Sequence, residues 1–486
     1  MNDWSLDPRV RAVLKHIPLP IQLPTPLKRL QGATGTSELE GRRAVVTRLR
    51  DALDLALCQG LALAGAAVVI ADAEPNADYV ATAVAAGMRH VPSSVDAATG
   101  VLAVVQSSGA TGDRRPVVIV HRVVAPTDAD PAVNDATDRL FGVGHAAAQM
   151  GASGRLLLVL GQDLETTAAG ALTAAAAAGF ARSAFKEFGP KGTTVHVLRQ
   201  AEAAPTTVAS VAVFLAGPRS AFLSGLDLQI GKARGNDVGG LPRLGAKVAL
   251  VTGAARGIGA AIAERLAKDG AHVWVNDVES AKEAGAETVA RIRAAGGKAD
   301  FVAADVSSAA GAQAIKAAIG PAVDVVIHNA GITRDRTLRK MTLENWRLVL
   351  RVNFGAMANV QAALLPVLRE GGSLVLMSSV MGIAGNFGQA NYSASKAGVI
   401  ALSKQWSAQL ATRGVRSNVI APGFILTEMT AHLPLMNREM AKQLTALLQP
   451  GLPEDVAELA CFLAGPDAAG LSGQVLRCDG GMAFGA

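Results

Sequence analysis

The amino-acid sequence predicts an α/β protein of two domains, each built on a doubly wound parallel sheet. Three observations support this prediction. The 486 residues exceed the roughly 250–300 residues that one hydrophobic core usually serves. Short apolar runs alternate with helical patterns, which is typical of parallel sheets covered on both faces. The first half of the chain also repeats the second in shortened form. We therefore expect two Rossmann-like sheets, the N-terminal one degenerate (flavodoxin-like).

Changes in composition place the domain boundaries. Residues 1–36 are interpreted as an extended N-terminal segment, because Pro and Gly are frequent there and no helical period occurs. The N-terminal domain then covers residues 37–230. A polar, glycine-rich stretch at 231–240 is the predicted linker, and the C-terminal domain covers 241–486.

Strands and helices alternate regularly after the linker. A first apolar run at 247–251 leads into a glycine turn and a helical pattern over 260–269. The strands are short and several end in Gly or Asp. In parallel sheets of this kind, ligands bind at the edge where the strands end. Further predicted strands are His272–Asn276, Ala299–Ala303, Val323–Ile327 and Ser373–Met377.

An internal repeat relates the two halves. The motif FLAGP begins at Phe214 and again at Phe462, 248 residues later. Nearer the start of each half the matching residues, Thr47 and Thr252, are only 205 residues apart. The first copy has therefore lost segments. The largest loss, 29 residues, follows the sixth strand and corresponds to about 424–449 of the second copy.

Composition argues against several classes of function. The chain has 46 basic and 40 acidic residues and no block of Lys and Arg, so we do not expect nucleic-acid binding. The three cysteines, Cys58, Cys461 and Cys478, lie far apart with no CxxC spacing. This spacing predicts neither a disulfide framework nor a metal site, and it fits a reducing compartment.

The sequence predicts a cytoplasmic protein without a membrane span. The N-terminus carries charges and no apolar core, unlike a signal peptide. The uncharged run from Leu55 to Ala71 has 17 residues, whereas a span needs about 20. A buried helix followed by a buried strand explains this run better.

The turn after the first strand of the second domain fits a dinucleotide. Glycines at 253, 257 and 259 allow a sharp turn and a close approach to a pyrophosphate, and the helix that follows offers N–H donors. Asp277 ends the next strand. A carboxylate there accepts hydrogen bonds from the adenosine ribose and repels a 2′-phosphate, which favours NAD(H) over NADP(H). Arg256 in the turn argues the other way, and a capping role for Asp277 is the structural alternative.

A second group of residues fits proton transfer. Tyr392 and Lys396 are four residues apart in a helical pattern, so both lie on one face. A nearby ammonium favours the phenolate, and Tyr392 can then serve as the general acid for a carbonyl. Ser379 ends a strand 13 residues earlier and can hydrogen-bond the same carbonyl oxygen.

Taken in order, these motifs resemble the short-chain dehydrogenase/reductase family. The resemblance covers residues 241–486. Within the family, the runs 385–392, 422–429 and 479–482 are similar to those of 3-oxoacyl-[acyl carrier protein] reductases, and the double-length chain resembles their high-molecular-weight subgroup. The motifs that carry it are Thr252-Gly-x-x-x-Gly-x-Gly259, Asn329-Ala-Gly331, Asn353, Ser379, Tyr392-x-x-x-Lys396 and Pro422-Gly423.

The resemblance implies a role for each matching residue. Tyr392 would donate the proton, Ser379 would polarise the substrate oxygen, and Lys396 would bind the nicotinamide ribose and lower the pKa of Tyr392. Asn353 would hold a water in the proton relay, and Arg413 matches a position that docks the acidic carrier protein, with an ordinary surface arginine as the alternative. Residues implied in cofactor binding are Gly253, Arg256, Gly257, Ile258, Gly259, Asp277, Asp305, Val306, Asn329, Ala330, Gly331, Tyr392, Lys396, Pro422, Gly423, Ile425 and Thr427.

The first domain is predicted to be inactive. In its glycine turn, bulky or anionic residues replace glycines that would approach a pyrophosphate. The groups that handle protons are also replaced, so the domain is left with packing, oligomerisation or binding of a long substrate as possible roles. Arg48, Ala52 and Asp54 match Gly253, Gly257 and Gly259; Thr173, Ala177 and Gly161 match Tyr392, Lys396 and Ser379.

These features together predict NADH-dependent reduction of 3-oxoacyl thioesters in fatty acid metabolism. The substrate would be carried by acyl carrier protein or coenzyme A, and the resemblance implies a homodimer. One alternative is an NAD(P)-dependent dehydrogenase of the same fold, acting on 3-hydroxyacyl-CoA or another alcohol. A non-catalytic binding or scaffold protein is an alternative of a different class.

Overall fold

The structure is a computed structural model, and it describes residues 24–30, 35, 37–92, 117–125, 135–235, 243–431 and 435–482. The described residues divide into two compact units. The N-terminal unit contains the described residues up to Ala233 together with Arg438–Gln449. The C-terminal unit contains Arg234–Asn437 and the residues from Pro450 onward.

The N-terminal unit is built on a seven-stranded sheet, parallel throughout, in the order β3-β2-β1-β4-β5-β6-β7. Its strands are β1 (Arg43–Val46), β2 (Ala67–Ala71), β3 (Arg89–Val91), β4 (Val117–Val123), β5 (Arg155–Leu160), β6 (Thr194–Gln200) and β7 (Asp227–Ile230). Its helices are α1 (Ala52–Leu63), α2 (Ala77–Ala85), α3 (Asp135–Ala148), α4 (Ala168–Phe188) and α5 (Pro205–Ala216).

The C-terminal unit repeats this order as β10-β9-β8-β11-β12-β13-β14. Its strands are β8 (Val248–Thr252), β9 (His272–Asp277), β10 (Lys298–Ala303), β11 (Val323–His328), β12 (Leu368–Met377), β13 (Arg416–Pro422) and β14 (Val475–Cys478). Its helices, numbered in chain order, are α6 (Gly257–Lys268), α7 (Lys282–Ala294), α8 (Ala309–Ile319), α9 (Leu343–Leu350), α10 (Ala356–Leu364), α11 (Met381–Ala384), α12 (Ala390–Gln409), α13 (Glu428–Ala431) and α15 (Pro453–Ala464). Helix α14 (Leu435–Gln443) begins in this unit, and its residues from Arg438 belong to the N-terminal unit.

The predicted fold class is confirmed. Both sheets have the Rossmann strand order, in which the chain reverses direction across the sheet beside its first strand. The flavodoxin-like order, 2-1-3-4-5, is not that of the N-terminal sheet. The uncharged run from Leu55 to Ala71 forms most of α1 and all of β2, as its pattern predicts.

The middle strand of each sheet lies in the core of its unit. Strands β4 and β11 are buried along their whole length, because helices cover both faces of a parallel sheet. Some helices begin at a side chain that accepts a hydrogen bond from the first turn. Thr167 accepts from Gly170 N at the start of α4, and Ser308 accepts from Gly311 N at the start of α8.

Three described segments concern the predicted boundaries. Residues 24–30 of the predicted lead-in contain neither helix nor strand, and most of 1–36 lies outside the described residues. Of the predicted linker, 231–235 is described and is irregular. Arg438–Gln449 falls within the predicted domain 241–486, yet it belongs to the N-terminal unit. The division of the chain is therefore not continuous in sequence.

Candidate active site

A cleft of about 770 Å³ opens where the strands of the C-terminal sheet end. All the residues predicted to bind the cofactor line it, together with Ser379. Its walls also include apolar and polar residues to which the sequence motifs assigned no role, because their placement depends on tertiary packing. Among these are Asn276, Ile332, Thr333, Leu348, Val352, Ser378, Glu428 and Thr430.

The glycine turn needs its glycines for two reasons. Gly253 and Gly257 have φ angles of 63° and 60°, which side chains adopt rarely. A Cβ on Gly259 would lie 2.2 Å from the carbonyl oxygen of Gly253, so only glycine fits there. Asn329 holds the turn closed, since its Nδ2 donates to the carbonyl oxygens of Thr252 and Gly253 at 3.0 and 2.9 Å.

Asp277 and Arg256 face the same cleft with opposite charges. The carboxylate of Asp277 accepts hydrogen bonds from the backbone N–H groups of Ala255 (3.1 Å) and Val278 (2.9 Å), which fixes it at the end of β9. Arg256 is exposed, and its guanidinium lies 3.8 Å from the carboxylate of Glu428. The carboxylate is therefore held in place, whereas the arginine is held only by a surface ion pair.

Tyr392 and Ser379 bring two hydroxyl groups together. Burial raises the pKa of Tyr392 above its ordinary value, and Asp335 acts in the same direction, whereas hydrogen bonding with the Ser379 hydroxyl acts to lower it. The phenol therefore keeps its proton near neutral pH. The lowering of this pKa by Lys396 that the resemblance implies remains a prediction.

Lys396 is buried beneath the tyrosine. Its Nζ lies 5.7 Å from the centre of the Tyr392 ring and donates to the carbonyl oxygen of Met377 at 2.8 Å. Burial lowers the pKa of Lys396 to about 8. One turn of α12 therefore places a phenol and an ammonium group side by side, as their four-residue spacing predicts.

Asn353 lies in a π-helical turn, Arg351–Gly355, between α9 and α10. Its Oδ1 accepts from Ile332 N at 2.7 Å, and its Nδ2 donates to Ile332 O at 3.0 Å. Nδ2 also donates to Ser395 Oγ at 3.1 Å. Wide turns of this kind are frequent at functional sites. Asn353 fixes the backbone of Ile332 in the cleft wall; the implied water remains a prediction.

Arg413 is placed outside the cleft. Its two terminal nitrogens donate to the carbonyl oxygens of Leu365, just after α10, and of Leu368, the first residue of β12. A guanidinium at the end of a helix satisfies a carbonyl that has no partner within the helix, as at Leu365. The structure thus gives Arg413 a structural role, and carrier-protein docking remains a prediction.

The corresponding edge of the N-terminal sheet is filled by charged side chains. Asp54 takes the position of Gly259 and is fully buried. Its carboxylate lies 2.7 Å from Nε of Arg122 and 3.0 Å from Nε of Arg48, the residue in the position of Gly253. Arg122 also pairs with Asp51 at 3.3 Å. This network occupies the space that a pyrophosphate would need.

The adenosine side of the same edge is also filled. Asp72 matches Asp277, but Arg50 binds its carboxylate with two nitrogens, at 2.9 and 3.2 Å. Burial acts to raise the pKa of Asp72, and the hydrogen bond from Arg50 holds it below its ordinary value. Thr173 and Ala177 are buried in α4 where the second copy has Tyr392 and Lys396. In the described part of the N-terminal edge, side chains therefore fill the positions that match the C-terminal cleft.

The C-terminal cleft fits a dinucleotide on its own geometry. Because the turn Gly253–Gly259 has glycines where side chains would otherwise stand, its backbone is open to a ligand. The N-terminus of α6 supplies N–H donors for phosphates.

Within the described residues, no group of three or more His, Cys, Asp or Glu side chains could hold a metal ion. None of the described helices is both long and apolar enough to cross a membrane.

Comparison with known proteins gives consistent matches to the second half of the chain. A family model described as enoyl-(acyl carrier protein) reductase matches residues 253–483. A 3-oxoacyl-[acyl-carrier-protein] reductase of Thermotoga maritima is 42% identical over 248 residues, which is 49% of this chain and 99% of that protein. The corresponding reductase of a Synechocystis species is 45% identical over 245 residues, covering 49% of this chain and 98% of that protein.

Solved structures match the same share of the chain. The crystal structure of a short chain dehydrogenase from Burkholderia cenocepacia J2315, in complex with NADP, is 34% identical with a TM-score of 0.47. The match covers 49% of this chain and 98% of that chain.

Proposed function

Because the chain belongs to the short-chain dehydrogenase/reductase family, we propose that its C-terminal unit reduces 3-oxoacyl thioesters to 3-hydroxyacyl thioesters with NADH. The observation that carries this proposal is that the hydroxyls of Ser379 and Tyr392 line one cleft beside the buried ammonium of Lys396. The names of the similar reductases support the choice of a 3-oxoacyl thioester as substrate.

The chain's own residues account for the proton transfer. When bound, the cofactor supplies the hydride. The hydroxyls of Ser379 and Tyr392 donate hydrogen bonds to the carbonyl oxygen, where negative charge develops during reduction. Tyr392 then gives its proton to that oxygen, which completes the alcohol. The ammonium of Lys396 stabilises the phenolate that remains, because it lies close to the ring in a buried site.

The hydroxyls of Ser379 and Tyr392 can both donate to one acceptor, and a carbonyl oxygen is an acceptor of this kind. An enoyl thioester, the substrate named in the description of the family model, is reduced by hydride addition to its C=C bond, and the charge that develops on its thioester carbonyl oxygen also accepts hydrogen bonds. Rates with the two substrates therefore separate the two reductions. The raised pKa of Tyr392 also favours reduction, since the reductive direction needs the protonated phenol and the oxidative direction needs the phenolate.

NADH is the proposed cofactor because of the fixed carboxylate of Asp277. Repulsion of a 2′-phosphate by this group disfavours NADPH. Arg256 opposes this preference, but Glu428 meets part of its charge. Replacing Asp277 by Ala is expected to raise kcat/KM with NADPH relative to NADH by about tenfold, the equivalent of one lost charge repulsion of about 1.4 kcal/mol. An unchanged ratio would remove the basis for NADH.

A substrate panel tests the reaction itself. Initial rates with NADH and NADPH are measured against acetoacetyl-CoA and crotonoyl-CoA, and rates with NAD against 3-hydroxybutyryl-CoA. We expect acetoacetyl-CoA reduction with NADH to be fastest at neutral pH. A dominant rate with crotonoyl-CoA would make the protein an enoyl reductase, and a dominant oxidative rate would make it a dehydrogenase. No rate with any substrate would favour a binding or scaffold role.

Three further assignments belong to this proposal: a homodimer, a cytoplasmic location and acyl carrier protein as one substrate carrier. Docking of the carrier is tested at Arg413. Replacing it by Ala is expected to raise KM for a carrier-bound substrate more than for the same acyl group on CoA. An equal change for both substrates would assign Arg413 only its bonds to Leu365 and Leu368.

A further inference from the structure

One loop leaves the active site and ends in the other unit. Ile425, Thr427 and Thr430 line the cleft, and the chain then runs to Arg438–Gln449 in the N-terminal unit. The base of this loop is closed within the C-terminal unit. There Gly451 N donates to Phe424 O at 3.0 Å, and Leu426 N donates to Gly451 O at 2.9 Å.

The far arm of the loop, defined as Arg438–Gln449, has one face packed like core, whereas Met440 is 60% exposed. Lys442, Thr445, Leu447 and Gln449 are each at most 2% exposed. Ala446 packs against the hydrophobic core of the N-terminal unit, beside residues of α4 and β6. Burial of this kind is unusual for a connecting segment, which normally runs over a surface.

Specific contacts hold the far arm. At Gly189, just after α4, a Cβ would lie 2.4 Å from the carbonyl oxygen of Ala446, so the two backbones touch only because residue 189 is glycine. Gln449 Nε2 donates to Thr25 O at 3.0 Å, and Thr25 N donates to Pro190 O at 3.1 Å. The extended segment around Thr25 thus connects the far arm to the end of α4.

The relatives described above lack an equivalent of this support. Matches that cover 98–99% of their length account for only 49% of this chain, so those proteins have no residues left to form an N-terminal unit. A free loop loses conformational entropy each time that a ligand orders it. Burial of the far arm removes part of that cost before any substrate arrives.

We propose that the N-terminal unit is an anchor for the active-site loop: it fixes Arg438–Gln449 and thereby positions Ile425, Thr427 and Thr430 for the cofactor and the acyl thioester. The anchor gives the N-terminal unit a function although charged side chains fill the edge where a cofactor would bind. That function lies in packing rather than in nucleotide binding. The assignment of the thioester rests on the proposed function, whereas the anchoring itself does not.

The substitution Gly189→Ala tests the anchor from the N-terminal side. Residue 189 has helical backbone angles, φ −52° and ψ −42°, so alanine is tolerated there apart from its clash with Ala446. Gly179→Ala is the matched control. It lies within α4, the helix that ends just before Gly189, and its Cβ would meet only a side-chain nitrogen of Arg182 at 3.8 Å.

Hydrogen exchange measured by mass spectrometry is the primary readout. In Gly189→Ala, we expect the amides of residues 424–431 to exchange about tenfold faster, and those of the central strands β11 and β12 to stay as in the parent. Gly179→Ala should match the parent throughout. Parental exchange at 424–431 in Gly189→Ala would overturn the proposal, and so would equal acceleration in the control.

Kinetics provide the second readout. Gly189→Ala is expected to raise both KM for acetoacetyl-CoA and the Kd for NADH about fivefold, because Ile425 and Thr427 are implied in cofactor binding and Thr430 lines the same cleft. Parental values of both constants would contradict a role of the far arm in positioning this loop. The exchange experiment needs no substrate, so a failure of the proposed reaction would leave its result intact, and the two failures can be told apart.

A second variant covers the case in which Gly189→Ala does not fold. Gln449→Met keeps the length of the side chain and removes its hydrogen bond to Thr25. The same acceleration at 424–431 is expected from this variant, and parental exchange there would overturn the proposal equally.

Discussion

The two units share a strand order but differ at the edge where the strands end. In the C-terminal unit, Gly253 and Gly259 leave an open cleft, and each would clash if it carried a Cβ. In the N-terminal unit, Arg48 and Asp54 stand at the same positions and pair with each other, and Asp54 also pairs with Arg122. The fold therefore requires neither the glycines nor the cleft. Only the binding of a ligand requires them.

The largest expected effect is that of Tyr392→Phe, which removes the proton donor and leaves the cleft otherwise intact. Loss of a general acid lowers the rate about 10²–10⁴-fold. The chain has only two tyrosines, and Tyr79, on α2 of the N-terminal unit, provides the control. Tyr79→Phe is expected to reduce acetoacetyl-CoA at the parental rate. Parental activity in Tyr392→Phe would contradict the proposed mechanism.

The charged network of the N-terminal unit is expected to contribute to stability alone. Asp54→Ala leaves the buried Arg122 without its closest carboxylate, and breaking such a pair costs about 3–5 kcal/mol in the free energy of unfolding. Asp227→Ala breaks a half-exposed pair with Arg199 in the same unit and should cost at most about 1 kcal/mol. Denaturant titration measures both. A loss of NADH affinity without a loss of stability would give the N-terminal edge a ligand after all.

Gly257→Ala copies Ala52 of the first unit into the second. Both Gly257 and Gly296 have positive φ angles, and a Cβ at either position would meet no heavy atom within 4 Å, so alanine causes similar strain at each. Only Gly257 lies in the cleft. We expect Gly257→Ala to weaken NADH binding about tenfold, roughly 1.4 kcal/mol, and Gly296→Ala to leave it unchanged. Equal affinities in calorimetric titration would show that the open turn is dispensable.

The pH dependence of reduction is expected to report on Lys396. Burial lowers the pKa of its ammonium to about 8, so the charge is present below that pH and is lost above it. Reduction needs this charge to stabilise the phenolate. We therefore expect kcat/KM for acetoacetyl-CoA to fall as pH rises through about 8. A profile that stays level to about pH 9.5, well above that pKa, would separate Lys396 from the proton transfer.

The sequence predicted the C-terminal cleft more fully than the N-terminal edge. The glycine positions and the four-residue spacing of Tyr392 and Lys396 are local signals. The turn and the helix face that they predict depend only on neighbouring residues, and both are present in the structure. The sequence also marked Asp54 as incompatible with a pyrophosphate. It did not reveal Arg122 as the partner of Asp54, because the two residues are 68 positions apart and meet only through the pairing of β1 with β4.

Two other features depend on tertiary packing in the same way. Arg413 fits a docking position by sequence, but its bonds to the carbonyls after α10 become visible only when the helix end is placed beside it. The far arm of the active-site loop, Arg438–Gln449, carries no motif that assigns it to the N-terminal unit. Packing against a distant part of the chain leaves little trace in local sequence.

The number of NADH molecules bound per chain tests the difference between the two units most directly. Calorimetric titration of the full chain with NADH gives this number without any assumption about the substrate. The open C-terminal edge and the filled N-terminal edge predict one NADH per chain, with binding weakened by Gly257→Ala and unaffected by Asp72→Ala. Two NADH per chain, or binding that depends on Asp72, would contradict this division between the units.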